Sequence, residues 1–419
     1  MVDEGHDRDM RALRVGRFRR ANCQANRVLE TSAPVRNTQL PARLVAAVAL
    51  LTLAACTTPL PSSVEIRYTP EELIPATAPF LGPDDVSSLQ QVKMLELDDE
   101  MREFVAEIKE RSPDRRTLLV NLLDRLLNSG PHVLHYDNLK TYTARETFHA
   151  REGNCLSFTN LFVALAREAG LKVQFQEMRV PDNWERQDET WMYNRHINAR
   201  VNLDQQGEYV IDFNLTPVRN DFQQHRISDR AALAQYHNNM GVYWIMAERY
   251  DLSYLNIQRA ISLENDEAYF WTNLGVLYSR AGDSGRAEAS WLHALEIERD
   301  LSASSNLARY YRRTGNTELA DHFQEQVRRF RGRNPYYLYE LAESAYYAGD
   351  YQASIESLQK AIRIRKNEEQ FYRLLGLNYV KLGDTARASD AMRQAHAHAV
   401  SEEAKSTYNQ KLRLLETTD

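Results

Sequence analysis

REGNCLSF, Arg151 to Phe158, sets a single cysteine behind a glycine and an asparagine, at the start of an amphipathic helical pattern. Cys155 therefore falls at the N-terminus of the helix. The macrodipole is positive there and favours the thiolate form of a cysteine. The pattern runs through NLFVALAREAG to Gly170, and a strand opens at Leu171. The thiol therefore stands on a helix that leads into a sheet.

Two strands downstream alternate with a period of two. In RHINARVNLD, His196, Asn198, Arg200 and Asn202 take one face, and Ile197, Ala199, Val201 and Leu203 take the other. In EYVIDFN, Tyr209, Ile211 and Phe213 form the apolar face and Asp212 lies opposite. His196 and Asp212 are thus expected on the outward faces of successive strands. The hairpin between them decides whether they meet. A two-residue loop at Gln205-Gln206, or a four-residue loop closed by Leu203 and Glu208, pairs Asp212 with Ala199 and sends His196 and Asp212 to opposite faces. A three- or five-residue loop centred on Gln205 pairs Asp212 with Asn198 and leaves His196 on the diagonal, about 7 to 8 Å away between backbones. That register also places Ile211 and Phe213 on the side of Ala199 and Val201. The apolar pattern and a Cys/His/Asp site select the same pairing.

Such a site needs these residue types in these roles. His196 would hold the thiolate as an ion pair and protonate a leaving amine, and Asp212 on the far ring nitrogen would orient the imidazole. Backbone N–H groups near Cys155 would supply part of an oxyanion site. Singly, each residue has an ordinary structural role; together they form an ordered constellation.

The order Cys155, His196, Asp212, with GNCLSFTNLFVALAREAGL around the thiol, an H-x-N-x-x-V strand and a G-E-Y-V-I-D strand, resembles the transglutaminase-like superfamily over about 130 residues, from Met94 to Ser228. The resemblance implies a papain-like α+β core, with Cys155 as nucleophile, His196 as base and Asp212 as its orienter. The family commonly carries an aromatic residue two after the histidine, where this chain has Asn198. Trp184, Trp191 and Asn198 are candidates for a substrate groove, with packing as the competing role of the tryptophans. His132, His135 and His149 are read as structural. No cofactor or metal is expected.

The N-terminus assigns a compartment. The apolar run LVAAVALLTL after Arg43 is ten residues long, short of the roughly 20 a membrane-spanning helix requires, and reads as a signal-peptide core. It ends in LAAC, Leu53 to Cys56, which resembles a bacterial lipobox in which Cys56 is acylated and becomes the first mature residue. Thr57 rather than Asp follows, which implies an outer-membrane address. The expectation is a lipid anchor holding the protein to the bacterial cell envelope, facing the periplasm. Residues 1–55 are then leader, 1–34 of which lack signal-like order; Val35 as an alternative initiator would leave a leader of ordinary length. Residues 56–90, rich in Pro, Ser and Thr, read as a lipidated tether.

Of three cysteines, Cys23 and Cys56 are accounted for by the leader and the lipid, so only Cys155 remains as a free thiol in an oxidising compartment. The net charge of −6 becomes −10 once the leader's nine Arg and five acids are removed. That argues against nucleic acid as a partner.

From residue 231 the chain repeats. Turn signals at Ala281 to Asp283, Thr314 to Asn316, Ala348 to Asp350 and Leu382 to Asp384 are spaced by 33, 34 and 34 residues. Small residues recur in phase, among them Gly275, Ala308, Ala342 and Gly376. The period resembles tetratricopeptide repeats. Counting back from Gly282 places Glu248 at the turn of a degenerate first repeat, giving five repeats over 231–402 and a capping helix over 403–419. Asn273, Asn306, Arg309 and Tyr339 fall on first helices, where solvation or ligand binding would place them.

The expected fold is thus an α+β papain-like core over 91–230 followed by an all-α solenoid. The expected function is thiol acyl-transfer on amide bonds as peptidase, deamidase or transamidase, with the repeats presenting a protein or peptide substrate. The alternative is a non-catalytic scaffold whose degenerate core binds without reacting.

Overall fold

In the computed structural model the described residues are 61, 64, 67–75, 91–128, 132–179, 184–187, 190–193, 196–213, 223–399 and 402–416. Cys56 and the expected leader lie outside them. The chain forms two compact units, one extending to Ala303 and one beginning at Ser304.

The first unit is built around a four-stranded antiparallel sheet. Its strands are β3 (Lys172–Arg179), β6 (His196–Asn202), β7 (Glu208–Ile211) and β8 (Gln223–Ile227), in the order β7-β6-β3-β8. A parallel pair, β1 (His135–Tyr136) with β2 (Glu152–Gly153), and a ribbon of β4 (Trp184–Gln187) with β5 (Thr190–Tyr193) are separate. Helices α2 (Asp99–Glu110), α3 (Arg115–Leu127), α4 (Ala144–Ala150) and α5 (Cys155–Glu168) complete the core. A short helix, α1 (Pro70–Leu73), precedes them.

Helix α5 departs from the amphipathic reading. All eleven residues from Leu156 to Ala166 are buried, because α5 runs between the sheet and the helices α2 and α4. Its polar residues serve buried hydrogen bonds: Ser157 Oγ accepts from the Tyr142 N–H at 2.8 Å and Asn160 Nδ2 donates to the Tyr142 carbonyl at 3.2 Å. Val173, Phe175, Ile197, Ala199, Val201, Tyr209 and Ile211 join α5 in one hydrophobic core.

Four helices continue in the same unit: α6 (Asp229–Met246), α7 (Tyr250–Leu263), α8 (Ala268–Arg280) and α9 (Ser284–Ile297). Helix α6 is fixed to the sheet's unit by polar contacts. Arg167 of α5 donates to Asp229 at 2.8 Å, and Gln235 Nε2 donates to the buried Glu177 of β3 at 2.7 Å. The second unit holds all but the first three residues of α10 (Leu301–Thr314), then α11 (Thr317–Arg331), α12 (Pro335–Tyr347), α13 (Tyr351–Ile364), α14 (Glu369–Lys381), α15 (Thr385–His398) and α16 (Glu402–Glu416).

The helices pair, and each pair turns through a left-handed residue: Gly282, Gly315, Gly349 and Gly383 have φ between 74° and 89°. Glu248 holds the same position in the first pair at φ 56°, which a residue with a Cβ adopts at some cost. Close approach dictates the small residues, since a Cβ at Gly275 would lie 2.4 Å from Trp291 Nε1.

Two expectations change here. Asn273 and Asn306 are 2% and 1% exposed, so neither is a solvated surface residue; Asn273 Nδ2 donates to Asn238 Oδ1 at 2.9 Å between α8 and α6. Residues 67–75, read as tether, instead form a docked segment with a capped helical turn. Thr69 accepts from the Glu72 N–H while Glu72 Oε2 accepts from the Thr69 N–H at 2.8 Å, and Pro70 stands at the first helical position.

Candidate active site

The turn ahead of α5 is tightly specified. Arg151 ends α4 at φ 59°, and Gly153 follows at φ 150°, where a Cβ would sit 2.6 Å from Ser157 Cβ. Asn154 is the N-cap: its Oδ1 accepts from the Ser157 N–H at 3.1 Å, and its Nδ2 donates to Thr141 Oγ1 at 2.7 Å. Cys155 is thereby held at the first position of α5, half-buried and packed against the core. The N–H groups of Cys155 and Leu156 precede the first intrahelical bond, from Phe158 N–H to Asn154 O, and point out of the helix end as donors.

The hairpin of β6 and β7 pairs Ala199 with Ile211, Val201 with Tyr209 and Asn202 with Glu208. Asp204–Gln206 form a three-residue turn closed by the Leu203 N–H on the Gly207 carbonyl at 2.9 Å. Continued one residue, this register sets Asp212 across from Asn198. It is the pairing in which the apolar sets of both strands coincide.

His196 Nε2 donates to Asp212 Oδ2 at 2.6 Å. The pair is sealed rather than outward-facing: His196 is 2% exposed, and the Asp212 side chain 8%. Alternation decides which residues share a face but not what covers that face. The opposite ring nitrogen, Nδ1, is buried and makes no hydrogen bond of ordinary geometry, yet the Cys155 thiol is close enough to the ring to raise its pKa through hydrogen bonding and charge. Burial by itself disfavours the imidazolium, but the hydrogen bond to Asp212 and the neighbouring Cys155 outweigh it, and His196 is pushed up to about 10. At neutral pH the ring is thus a buried cation held against Asp212.

Asn198 is not a groove residue. It is fully buried, and its Nδ2 donates at 3.1 Å to the same Asp212 Oδ2 that receives His196. One residue along the same face of β6, it braces the carboxylate. Sequence reasoning missed this role, although the register itself placed Asn198 opposite Asp212. Trp184 and Trp191 lie on β4 and β5, and their side chains fall outside the described residues. His149 has a carboxylate partner after all, Asp98 at 2.6 Å, and His132 stacks on Phe148 at 4.3 Å between ring centres. Among the described residues no group of three His, Cys, Asp or Glu is placed to hold a metal ion.

Residues 102–212 match the model of the transglutaminase-like superfamily core, and residues 268–301 and 335–368 match the tetratricopeptide repeat model. The chain joins a transglutaminase-like core to tetratricopeptide repeats. Solved structures similar to it include the anaphase-promoting complex hetero-tetramer Cut9-Hcn1, at 18% identity and a TM-score of 0.23, with 44% of this chain and 36% of that one covered. The C-terminal part of a repeat-containing protein from Cytophaga hutchinsonii is similar at 20% identity and a TM-score of 0.26, covering 44% of this chain and 76% of that one. MamA from Desulfovibrio magneticus RS-1 is similar at 17% identity and a TM-score of 0.23, covering 41% and 96%. No curated protein matches the chain. The transglutaminase-like core contains all three residues of the Cys155, His196 and Asp212 constellation.

Proposed function

We propose that this protein is a thiol acyl-transfer enzyme acting on amide bonds of protein or peptide substrates. The observation that carries the reading is the buried His196–Asp212 pair, with its free-facing nitrogen beside a cysteine at a helix N-terminus.

The chemistry follows from the placement. The Cys155 sulfur attacks the amide carbonyl, and the oxygen that takes up the electron pair finds the Cys155 and Leu156 N–H groups at the helix end. His196, resting as an imidazolium, gives its Nδ1 proton to the leaving amine as the C–N bond breaks, leaving a thioester on Cys155. Water or an amine then attacks the thioester, His196 takes the incoming proton, and the acyl group leaves as acid or new amide. The Asp212 carboxylate, fixed by Asn198, keeps Nε2 protonated and Nδ1 toward the sulfur throughout. Hydrolysis and transamidation share every residue and differ only in the second nucleophile.

The reading extends to place and partner. A lipid on Cys56 would tie the enzyme to the outer membrane facing the periplasm, and the repeats would recruit the protein or peptide that the core modifies. The LAAC sequence and the repeat array support these two points.

A thiol-directed electrophilic probe, with mass spectrometry of the adduct, tests the central claim. Labelling is expected at Cys155, lost in Cys155→Ser and slowed in His196→Ala; labelling at the rate of an ordinary thiol, unmoved by His196→Ala, would sink it. Metabolic labelling with a fatty-acid analogue tests the anchor, which fails if Cys56→Ala keeps its label.

A further inference from the structure

Residues Arg67 to Pro75, RYTPEELIP, stand ahead of the transglutaminase-like core in sequence but are bound by helices that follow it. Three successive carbonyls of the segment are received by repeat side chains. Tyr278 Oη donates to the Leu73 carbonyl at 2.6 Å, Gln258 Nε2 reaches the Ile74 carbonyl at 3.5 Å, and Tyr254 Oη donates to the Pro75 carbonyl. Leu73 is fully buried. The guanidinium of Arg286 lies 5.2 Å from the centre of the Tyr68 ring, a cation–π contact. Burial raises the pKa of both phenols, so each remains a neutral donor.

This is the chemistry of peptide recognition. Side chains read the backbone, one pocket takes an apolar residue, and an aromatic ring is clamped at the segment's N-terminal end. The segment also carries its own pre-organisation, since the Thr69–Glu72 capping box and Pro70 hold the turn that presents Leu73. Two half-open clefts flank the segment, one of about 350 Å³ where Pro70, Glu71 and Ile74 meet Arg230, Ile261 and Trp271, and one of about 260 Å³ where Tyr68 and Pro70 meet His293 and Glu296.

We infer that the surface of Tyr254, Gln258, Tyr278 and Arg286 is a peptide-binding site whose resident ligand is this chain's own Arg67–Pro75 segment. The class it takes is an aromatic residue, a Thr-Pro-capped acidic turn, a buried leucine and a following Ile-Pro. In sequence the segment and its receptor are separated by the whole core, so its docking joins the two sides of the chain as a clasp. The inference does not rest on the catalytic reading.

A fluorescent nine-residue peptide of sequence RYTPEELIP tests it on the intact chain. Tethering gives the resident segment an effective concentration in the millimolar range, so the wild-type protein is expected to bind the added peptide about tenfold or more weakly than a Leu73→Asp variant, in which the tethered copy is driven out. Circular dichroism and melting report whether that variant is folded, and Leu73→Ala is the milder second variant. Tyr278→Phe placed on Leu73→Asp is expected to weaken the recovered binding. Equal binding to wild type and variant would overturn the inference, because the clasp would not then occupy the site. Binding to neither would overturn it too, because the surface would have no affinity for the segment alone. Loss of the fold in both leucine variants would make Leu73 an element of the core and equally overturn it.

Discussion

His196 on β6 and His237 on α6 are each 2% exposed, yet burial leads them to opposite charge states. The hydrogen-bond partner of His237 is neutral, Asn256 Oδ1 at 3.0 Å from its Nδ1, and the nearby charge of Arg259 works against protonation too. Desolvation therefore dominates, and its pKa falls. His196 is as dry, but the hydrogen bond to Asp212 and the Cys155 sulfur reverse the same penalty and raise it to about 10. A buried imidazole is cationic only where the fold supplies an anion on a fixed bearing. The first repeat stores a neutral polar residue between helices; the core stores a charge.

The strongest way to break this comparison is to remove the sulfur. Cys155→Ala is expected to abolish covalent labelling and to lower turnover by about a thousandfold or more, with melting little changed. A stopped assay on the wild-type and variant chains checks it. Residual turnover near the wild-type level would place the chemistry elsewhere.

Removing the anion comes next. Asp212→Asn keeps the shape of the site but withdraws the charge and lets the imidazole adopt the wrong tautomer, a change worth about 10²- to 10⁴-fold in comparable sites. The pH profile of alkylation at Cys155 separates this from misfolding. The limb set by His196 is expected to move from about 10 toward the ordinary histidine range near 6.5. A limb that stays in place would mean that Asp212 does not hold the charge.

How much of this was legible depends on what a pattern can carry. The hairpin register was readable because the apolar residues of HINARVN and EYVIDF coincide in only one pairing, and that pairing sets Asp212 against Asn198. The turn ahead of the Cys155 helix was readable, but not the cap that Asn154 makes of it. The burial of the polar face was not, because alternation names the members of a face and is silent on what lies over it. Asn198 was missed for the same reason: a short amide on a strand reads as a groove residue until its partner is known to be a buried carboxylate. The clasp was illegible, since RYTPEELIP reads as tether and its partners Tyr254 and Tyr278 lie 179 and 205 residues away. Local composition says nothing about such distant receptors.

The two histidines also predict opposite limbs of stability. A group whose folded pKa is raised stabilises the fold fully below its unfolded value and loses that contribution as pH rises through the folded value. The stability that His196 contributes is therefore lost progressively as pH rises from about 6.5 to about 10. His237 is lowered, so the unfolded chain binds its proton more readily, and stability falls as pH drops below the ordinary histidine range. Melting temperatures across pH 5 to 10 are expected to flatten on the alkaline side in His196→Gln and on the acid side in His237→Gln. The same limb flattening in both variants would break the contrast.

The smallest effect concerns the brace. Asn198 Nδ2 and His196 Nε2 share one oxygen of Asp212, so Asn198 touches no substrate in the proposed mechanism and acts only by fixing the carboxylate. A single hydrogen bond to a charged group contributes about 1.5 to 3 kcal/mol, and the His196 bond that remains would retain part of the alignment. Asn198→Ala is expected to lower kcat by about tenfold with KM nearly unchanged, because bracing matters as the proton moves and not as substrate docks. It is also expected to shift the His196 limb of the alkylation profile downward by a fraction of the Asp212→Asn displacement, since a looser carboxylate holds the imidazolium less well. A purely structural residue would lower melting and leave that limb where it is. A groove residue would raise KM and leave kcat alone. The limb, the KM-to-kcat split and the melting curve therefore distinguish the three roles on one variant, and the brace requires the first two to move as stated.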